Sequence, residues 1–326
     1  MKIYCIPFAF ALLLLQACSP AKQLPHSRPE LYDHHVHFLS PGFIDFWKKM
    51  GIPFSKADHF YSDVDSIFSL SGCEKMKLIS MAYVFSSEEF GGGSKDAIDQ
   101  MRTENDYLAA LKSKYPSRIS AYYGIDPLQA YAVDEIQRCH KTLKLDGIKL
   151  HGNASQIYLT EPVHLQKVKT VFHYASDHKI PVLLHFDNSH PKFGERDVRL
   201  LADSVLYGLA FVDLQIAHFG TSGGFTQKTK NVLDAFIGLF NEKHPISTQN
   251  IKFDISAVCL DKDSDGVSKL TEAEFLELAG YVRKLGLHRI VFGTDYPLYN
   301  AREYLAILKT KLSLTDKEIA QLLADK

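Results

Sequence analysis

From residue 30 onward, short apolar or β-branched runs alternate with stretches whose apolar residues recur at helical spacing. Eight runs read as strands: 31–37, 77–84, 119–125, 147–151, 181–186, 214–218, 251–255 and 289–294. Between them, 104–115, 132–145, 164–178 and 272–285 read as amphipathic helices. Ile180-Pro181-Val182-Leu183-Leu184 is apolar throughout, as a parallel strand covered on both faces must be. Eight alternations predict an α/β fold, a single-domain (β/α)8 TIM barrel spanning 30–326. A doubly wound open sheet would need a glycine-rich turn after its first strand, and Asp33-His34-His35-Val36-His37 stands there instead. The longest irregular stretch, 38–61, carries Phe43, Phe46, Trp47, Phe54, Phe60 and Tyr61, and is expected to fold over the barrel mouth as a lid or pocket wall.

Residues ahead of the barrel follow another pattern. Lys2 precedes an almost wholly apolar run from Ile6 to Leu15, too short for a bilayer, which takes about 20 apolar residues. A charge, a short apolar run and then small residues are the layout of a secretory signal. Leu15-Gln16-Ala17-Cys18 resembles a bacterial lipoprotein lipobox. That resemblance implies a signal peptide over 1–17, lipidation of Cys18, and export to a membrane-anchored position on the periplasmic or cell-surface side. The alternative is an ordinary secretion signal in which Cys18 is incidental. Residues 18–29, polar and proline-bearing, then read as a tether.

Composition adds mainly exclusions. With 46% hydrophobic and 23% charged residues, the chain is no disordered or fibrous polymer. A net charge of -1 and the lack of a basic stripe argue against nucleic acid as a partner and leave a small molecule. Beyond Cys5 and Cys18, three cysteines remain, Cys73, Cys139 and Cys259; an odd, scattered set reads as buried thiols.

The chemistry gathers at strand ends. His35 and His37, two apart on strand one, point the same way, and His34 between them points opposite. Strand five ends at His185 and strand six at His218, and Asp295 follows strand eight. Imidazoles and a carboxylate converging on one rim suit zinc or a similar divalent ion.

Asp33-x-His35-x-His37 resembles the opening motif of the amidohydrolase superfamily of metal-dependent hydrolases. The likeness runs on through Asn105-Asp106-Tyr107, Asp126-Pro127, Gly147-Ile148-Lys149-Leu150-His151, Leu184-His185, Ala217-His218-Phe219-Gly220 and Gly293-Thr294-Asp295-Tyr296-Pro297. It is nearest the branch of aminocarboxymuconate-semialdehyde decarboxylase and pyrone-dicarboxylate lactonase. The resemblance implies that His35, His37, His185 and Asp295 surround one divalent metal, expected to be zinc. It implies that Asp295 shuttles a proton and that His218 acts beside the metal or substrate. Asp33 is expected to orient the strand or an imidazole. In some branches the strand-four lysine carries a carboxylate that bridges two metals; in this one Lys149 is expected to bind an anionic substrate group or to pair with a carboxylate. His151, Asp187 and Asn188 are placed to touch substrate.

Asp261, Asp263, Asp265 and Glu272, with Gly266, match the spacing of an EF-hand calcium loop. A strand precedes it where an EF-hand has a helix, so the alternative is a solvated acidic loop capped by Ser268 or Thr271. The functional expectation is a metal-dependent hydrolase acting on an ester, lactone or amide of a small organic acid. The alternatives are a decarboxylase or lyase on the same barrel, and a non-catalytic ligand-binding surface lipoprotein.

Overall fold

The computed structural model describes residues 30–54, 56–264 and 267–324. The expected signal peptide, Cys18 and the tether lie outside the described residues, as does Asp265. Among the described residues no helix is long and apolar enough to cross a membrane.

Eight parallel strands pair in chain order, β1 Tyr32–His37, β2 Lys75–Ile79, β3 Ile119–Gly124, β4 Gly147–His151, β5 Val182–His185, β6 Asp213–Ile216, β7 Asn250–Asp254 and β8 Ile290–Val291. The first and last close on each other. His34 N donates to Phe292 O (2.9 Å) and His37 N to Tyr296 O (3.1 Å). The expected (β/α)8 barrel is the fold, with helices such as Ala97–Lys114, Pro162–His178, Gln227–Asn241 and Glu272–Leu285 between strands.

Three strand ends fall two or more residues short of expectation, the eighth stopping at Val291. The second stops at Ile79, and Ala82–Ser86 winds into a tight helical turn that swings Tyr83 toward the barrel mouth. The sixth stops at Ile216, because His218 (φ 51°) and Phe219 (φ 55°) adopt left-handed backbone that a strand cannot hold. Helical spans shift as well. The one expected over 104–115 begins at Ala97, and the one expected over 132–145 runs regularly only through Ala132–Gln137 before a wider turn, Arg138–Thr142.

The main apolar core lies between sheet and helices. Inside the barrel, Ile79, Tyr122, Leu183 and Ala217 form a small separate cluster, drawn from strands on opposite sides that meet only through the interior. Lys77, Lys149, Gln215 and Asp254 are buried polar residues of the strands. Cys73, Cys139 and Cys259 are buried free thiols.

The stretch 38–61 is a wall with its own core. Ser40 caps helix Pro41–Lys49 through its side chain, and Pro41 sits in the first turn, where a missing N–H costs nothing. Phe43 packs edge-on against Trp47 (4.8 Å between centroids) and Phe85 (5.0 Å), and Phe54 against Tyr61 (5.2 Å). Glu104 Oε1 accepts from Ser40 N (3.0 Å), and the next residue, Asn105, brackets Gly124 at the end of β3. One helix thereby fixes both the wall and the rim.

Candidate metal centre

The first strand carries an irregularity between Asp33 and Val36 in its pairing with β2. Strict alternation would turn His34 away from the interior that His35 faces. Instead Tyr32 and His34 line a cavity at the amino-terminal mouth, while His37 reaches the cavity at the carboxyl-terminal mouth. Such bulges re-aim side chains beside functional sites. Asp33 anchors the irregular strand, as expected of an orienting residue. Its Oδ1 accepts from His35 N (3.0 Å) and Thr294 N (3.1 Å), and its Oδ2 from Thr294 Oγ1 (2.6 Å). Burial pushes its carboxyl up to about 7 despite these donors.

His35, His37 and Asp295 come together. His35 Nε2 lies 3.1 Å from His37 Nε2, and Asp295 Oδ1 lies 3.5 Å from the first and 3.2 Å from the second. Space for this is made at Gly293, where a Cβ would stand 3.0 Å from His35 Cβ. Asp295 itself has left-handed backbone (φ 56°), a strained conformation typical of functional positions. Burial opposes its charge, but His218, His37 and His35 outweigh burial and hold its carboxyl below the usual carboxylate range.

Asp254, at the end of β7, belongs to the same constellation and was not singled out from sequence. Its Oδ2 takes His35 Nδ1 at 3.0 Å, and its Oδ1 takes His218 N at 3.0 Å and Ser256 Oγ. Burial works against the charge, yet the His35 and His218 contacts keep Asp254 ionised. His35 is fully buried and neutral, its pKa pulled down to about 3 by burial. Donating from Nδ1 to Asp254, it presents an Nε2 lone pair to His37 and Asp295. Two imidazole nitrogens and a carboxylate oxygen within 4.8 Å of one another, with too few protons to bridge them, fit a divalent cation. His35, His218 and Asp254 form a second, overlapping group.

His185 belongs to neither group, though its ring meets that of His218 edge-on at 5.3 Å. Its ring stacks on His151 (3.9 Å, 11°), and its Nε2 lies 3.3 Å from Ser222 Oγ. Burial keeps both imidazoles neutral, well below their usual pKa. His218 directs Nδ1 at Ser256, 2.9 Å from both its O and its Oγ, and its ring faces that of His35 at 4.7 Å.

His37, His185, His218 and Asp295 line a cavity of about 840 Å³ at the carboxyl-terminal mouth, together with Lys149, His151, Trp47, Phe54, Tyr61 and Tyr83. Lys149 is 1% exposed and has no hydrogen bond or ion pair within reach among the described residues. Burial drops its ammonium to about 8, against the pull of Asp254 and Asp295.

Asp187 and Asn188 do not line this cavity. Asp187 is ion-paired with Lys228 (2.7 Å), and Asn188 bridges Ile157 O and His190 N. The residues of the calcium-like loop are engaged separately. Asp261 accepts from Tyr299 Oη (2.8 Å), Asp263 from Lys269 N (2.8 Å) and Glu272 from Lys311 Nζ (2.8 Å). Among the described residues they form no group able to share an ion. Thr271 caps helix Glu272–Leu285, in line with the acidic-loop alternative.

The fold recurs in solved structures. A 2,6-dihydroxybenzoate decarboxylase complexed with 2,6-dihydroxybenzoate is 18% identical, with 91% of this chain and 96% of that one covered and a TM-score of 0.61. A 5-carboxyvanillate decarboxylase from Sphingomonas paucimobilis is 14% identical over 91% and 97%, with a TM-score of 0.61. A dihydroxybenzoic acid decarboxylase from Polaromonas sp. JS666, with bound manganese and the inhibitor 2-nitroresorcinol, is 17% identical over 91% and 95%, with a TM-score of 0.59. No curated protein matches the chain. The amidohydrolase family profile matches residues 32–325, nearly the whole barrel, and the chain belongs to that family.

Proposed function

We propose that this protein is a metal-dependent hydrolase of a small anionic organic acid, cleaving an ester, lactone or amide bond. The observation that carries the reading is the convergence of His35 Nε2, His37 Nε2 and Asp295 Oδ1 beside a cavity that His37 and Asp295 line, together with a buried ammonium that has no salt bridge among the described residues. His35, His37 and Asp295 would hold one divalent ion, with His185 on the adjoining wall within the same cavity. When bound, such an ion lowers the pKa of water toward neutrality and polarises a carbonyl.

The chain's own groups do the rest. Asp254 fixes His35 in the tautomer that leaves Nε2 free. Asp295, ionised at the rim, accepts a proton from the attacking water and returns it to the leaving group. His218, oriented by Ser256, stabilises charge developing on the substrate oxygen. Lys149 draws the substrate's anionic group to the opposite wall. Trp47, Phe54 and Tyr61 exclude water from the mouth.

A second reading, decarboxylation on the same scaffold, is favoured by the solved relatives named as decarboxylases. Assays of one substrate panel for both carbon dioxide release and water addition separate the two. The hydrolase reading expects hydrolysis products and one equivalent of divalent metal per chain, both lost in Asp295→Asn. Carbon dioxide as the product supports the second reading, and a metal-free active protein overturns both.

Zinc remains the expected ion, and manganese is the alternative to compare by metal analysis. We further propose export and anchoring to a bacterial membrane through lipid on Cys18, supported by the Leu15-Gln16-Ala17-Cys18 motif. Radiolabelled palmitate incorporated by the wild type and not by Cys18→Ala would bear this out, and a wild-type protein that stays unlabelled would refute it.

A further inference from the structure

Barrel interiors are ordinarily packed with branched apolar side chains. Here a polar column runs through that interior from one mouth toward the other. Lys77 Nζ donates to Gln215 Oε1 (2.6 Å), and Gln215 Nε2 donates to Asp254 Oδ2 (2.7 Å) and to His34 O (3.0 Å). Asp254 Oδ2 accepts in turn from His35 Nδ1 (3.0 Å). Lys77 is 8% exposed, Gln215 5%, and Asp254 and His35 0%, so no link exchanges freely with water. The column's foot opens on a cavity of about 400 Å³ at the amino-terminal mouth, which Lys77 and Gln215 both line.

We propose that Lys77 and Gln215 are positioning residues for the candidate metal centre, fixing through Asp254 the tautomer and direction of His35. This inference rests on the metal-dependent reading above. A glutamine amide has an acceptor end and a donor end of nearly equal shape. Lys77 has donors only, so it engages Oε1 and turns the NH2 end toward Asp254. Asp254 then receives Gln215 and His35 on Oδ2, and His218 N and Ser256 Oγ on Oδ1. A carboxylate so surrounded by donors stays ionised and can only accept from His35, which leaves the His35 Nε2 lone pair on the His37 and Asp295 side. Without Lys77 the Oε1 end has lost its donor, and the amide's direction rests on Asp254 Oδ2 and His34 O alone, so its hold on Asp254 slackens. Lys77 also stacks its ammonium 4.4 Å from the Tyr122 ring centroid, which limits where it can point.

Charge alone and positioning predict opposite signs. A lysine cation in the same barrel repels a metal cation, so on Coulomb grounds its removal tightens metal binding. If Lys77 acts by orienting Gln215, its removal loosens binding. The test is Mn2+ titration calorimetry on wild type, Lys77→Met, Gln215→Met and the double variant, with metal-free thermal unfolding as the control for folding. Each single variant is expected to weaken Mn2+ about 10-fold, the scale of outer hydrogen-bond partners of metal ligands. The double variant is expected to be no weaker than Gln215→Met within about 2-fold, because Lys77 acts only through Gln215. Tighter or unchanged binding in Lys77→Met overturns the inference, and so does a double variant weakened about 100-fold, the product of independent effects. If Lys77→Met does not fold, Gln215→Glu decides. It retains a partner for Lys77 but offers Asp254 an acceptor; weakened Mn2+ binding supports the inference and unchanged binding overturns it. A wild-type chain that binds no Mn2+ removes the metal-dependent reading and this inference together, whereas wild-type binding with indifferent variants removes this inference alone.

Discussion

The two halves of the barrel's carboxyl-terminal rim are built from opposite charges. On the β1, β7 and β8 side, Asp33, Asp254 and Asp295 surround a pair of histidines. On the β4 and β5 side stand Lys149, His151 and His185, with no carboxylate among the strand-end residues that line the cavity. The first half has lone pairs in excess and suits a cation. The second has a buried ammonium with no salt bridge among the described residues and suits an anion. Under the proposed function, a site divided in this way would hold metal on one side and an acidic substrate on the other, with the bond to be broken between them.

Substitutions should therefore separate by half. The largest effect is expected from Asp295→Asn, which removes both an ion-holding oxygen and the proton shuttle. Turnover should fall at least about 1,000-fold, within the range of lost general acid–base catalysis, and bound metal should fall with it. Lys149→Met should lower kcat/KM for an anionic substrate about 100-fold, the worth of a charge-assisted contact, while metal content stays at the wild-type level. Loss of metal in Lys149→Met would erase the division between the halves.

Gly293→Ala tests the crowding behind the first half. Its methyl group would stand 3.0 Å from His35 Cβ and 3.3 Å from Ser256 Cβ. A destabilisation of about 1–3 kcal/mol is expected from such overpacking, measured by denaturant unfolding, with weaker metal binding alongside.

The second half should respond to pH. Lys149 carries its proton below about 8 and loses it above. Affinity for an anion should hold below that pH and fall by about tenfold per unit above it. Trp47 is the chain's single tryptophan and lines the cavity, so quenching of its fluorescence by benzoate reports this directly. In Lys149→Met the same pH step should vanish.

The smallest effect is expected far from the rim contacts. Glu272 is exposed and, among the described residues, paired only with Lys311, so Glu272→Gln should change stability by less than about 1 kcal/mol. Added calcium should leave the melting temperature of wild type and variant alike.

The sequence disclosed the first half better than the second. His35 and His37 were legible because a two-residue spacing on a strand fixes a common direction, and Asp295 because it follows the last strand. The bulge that also brings His34 and Tyr32 to the interior was not legible, since it depends on pairing with β2. Asp254 was hidden because one aspartate closing a strand looks like any polar terminus; Phe253-Asp254 at the rim was the only available signal. Lys77 and Gln215 sit at strand positions that alternation assigns to an interior expected to be apolar. Asp187 and Asn188 follow His185 directly, but a turn leads them away to Lys228 and Ile157. His185 kept its place in the cavity, yet its stacking on His151 is a long-range contact that no local pattern encodes.

Anomalous diffraction from crystals of the Mn2+-loaded protein tests the central claim most directly. A single strong peak enclosed by His35 Nε2, His37 Nε2 and Asp295 Oδ1 is the predicted result. A fully loaded crystal whose peak lies away from those three atoms, or that has none in the barrel mouth, would contradict it.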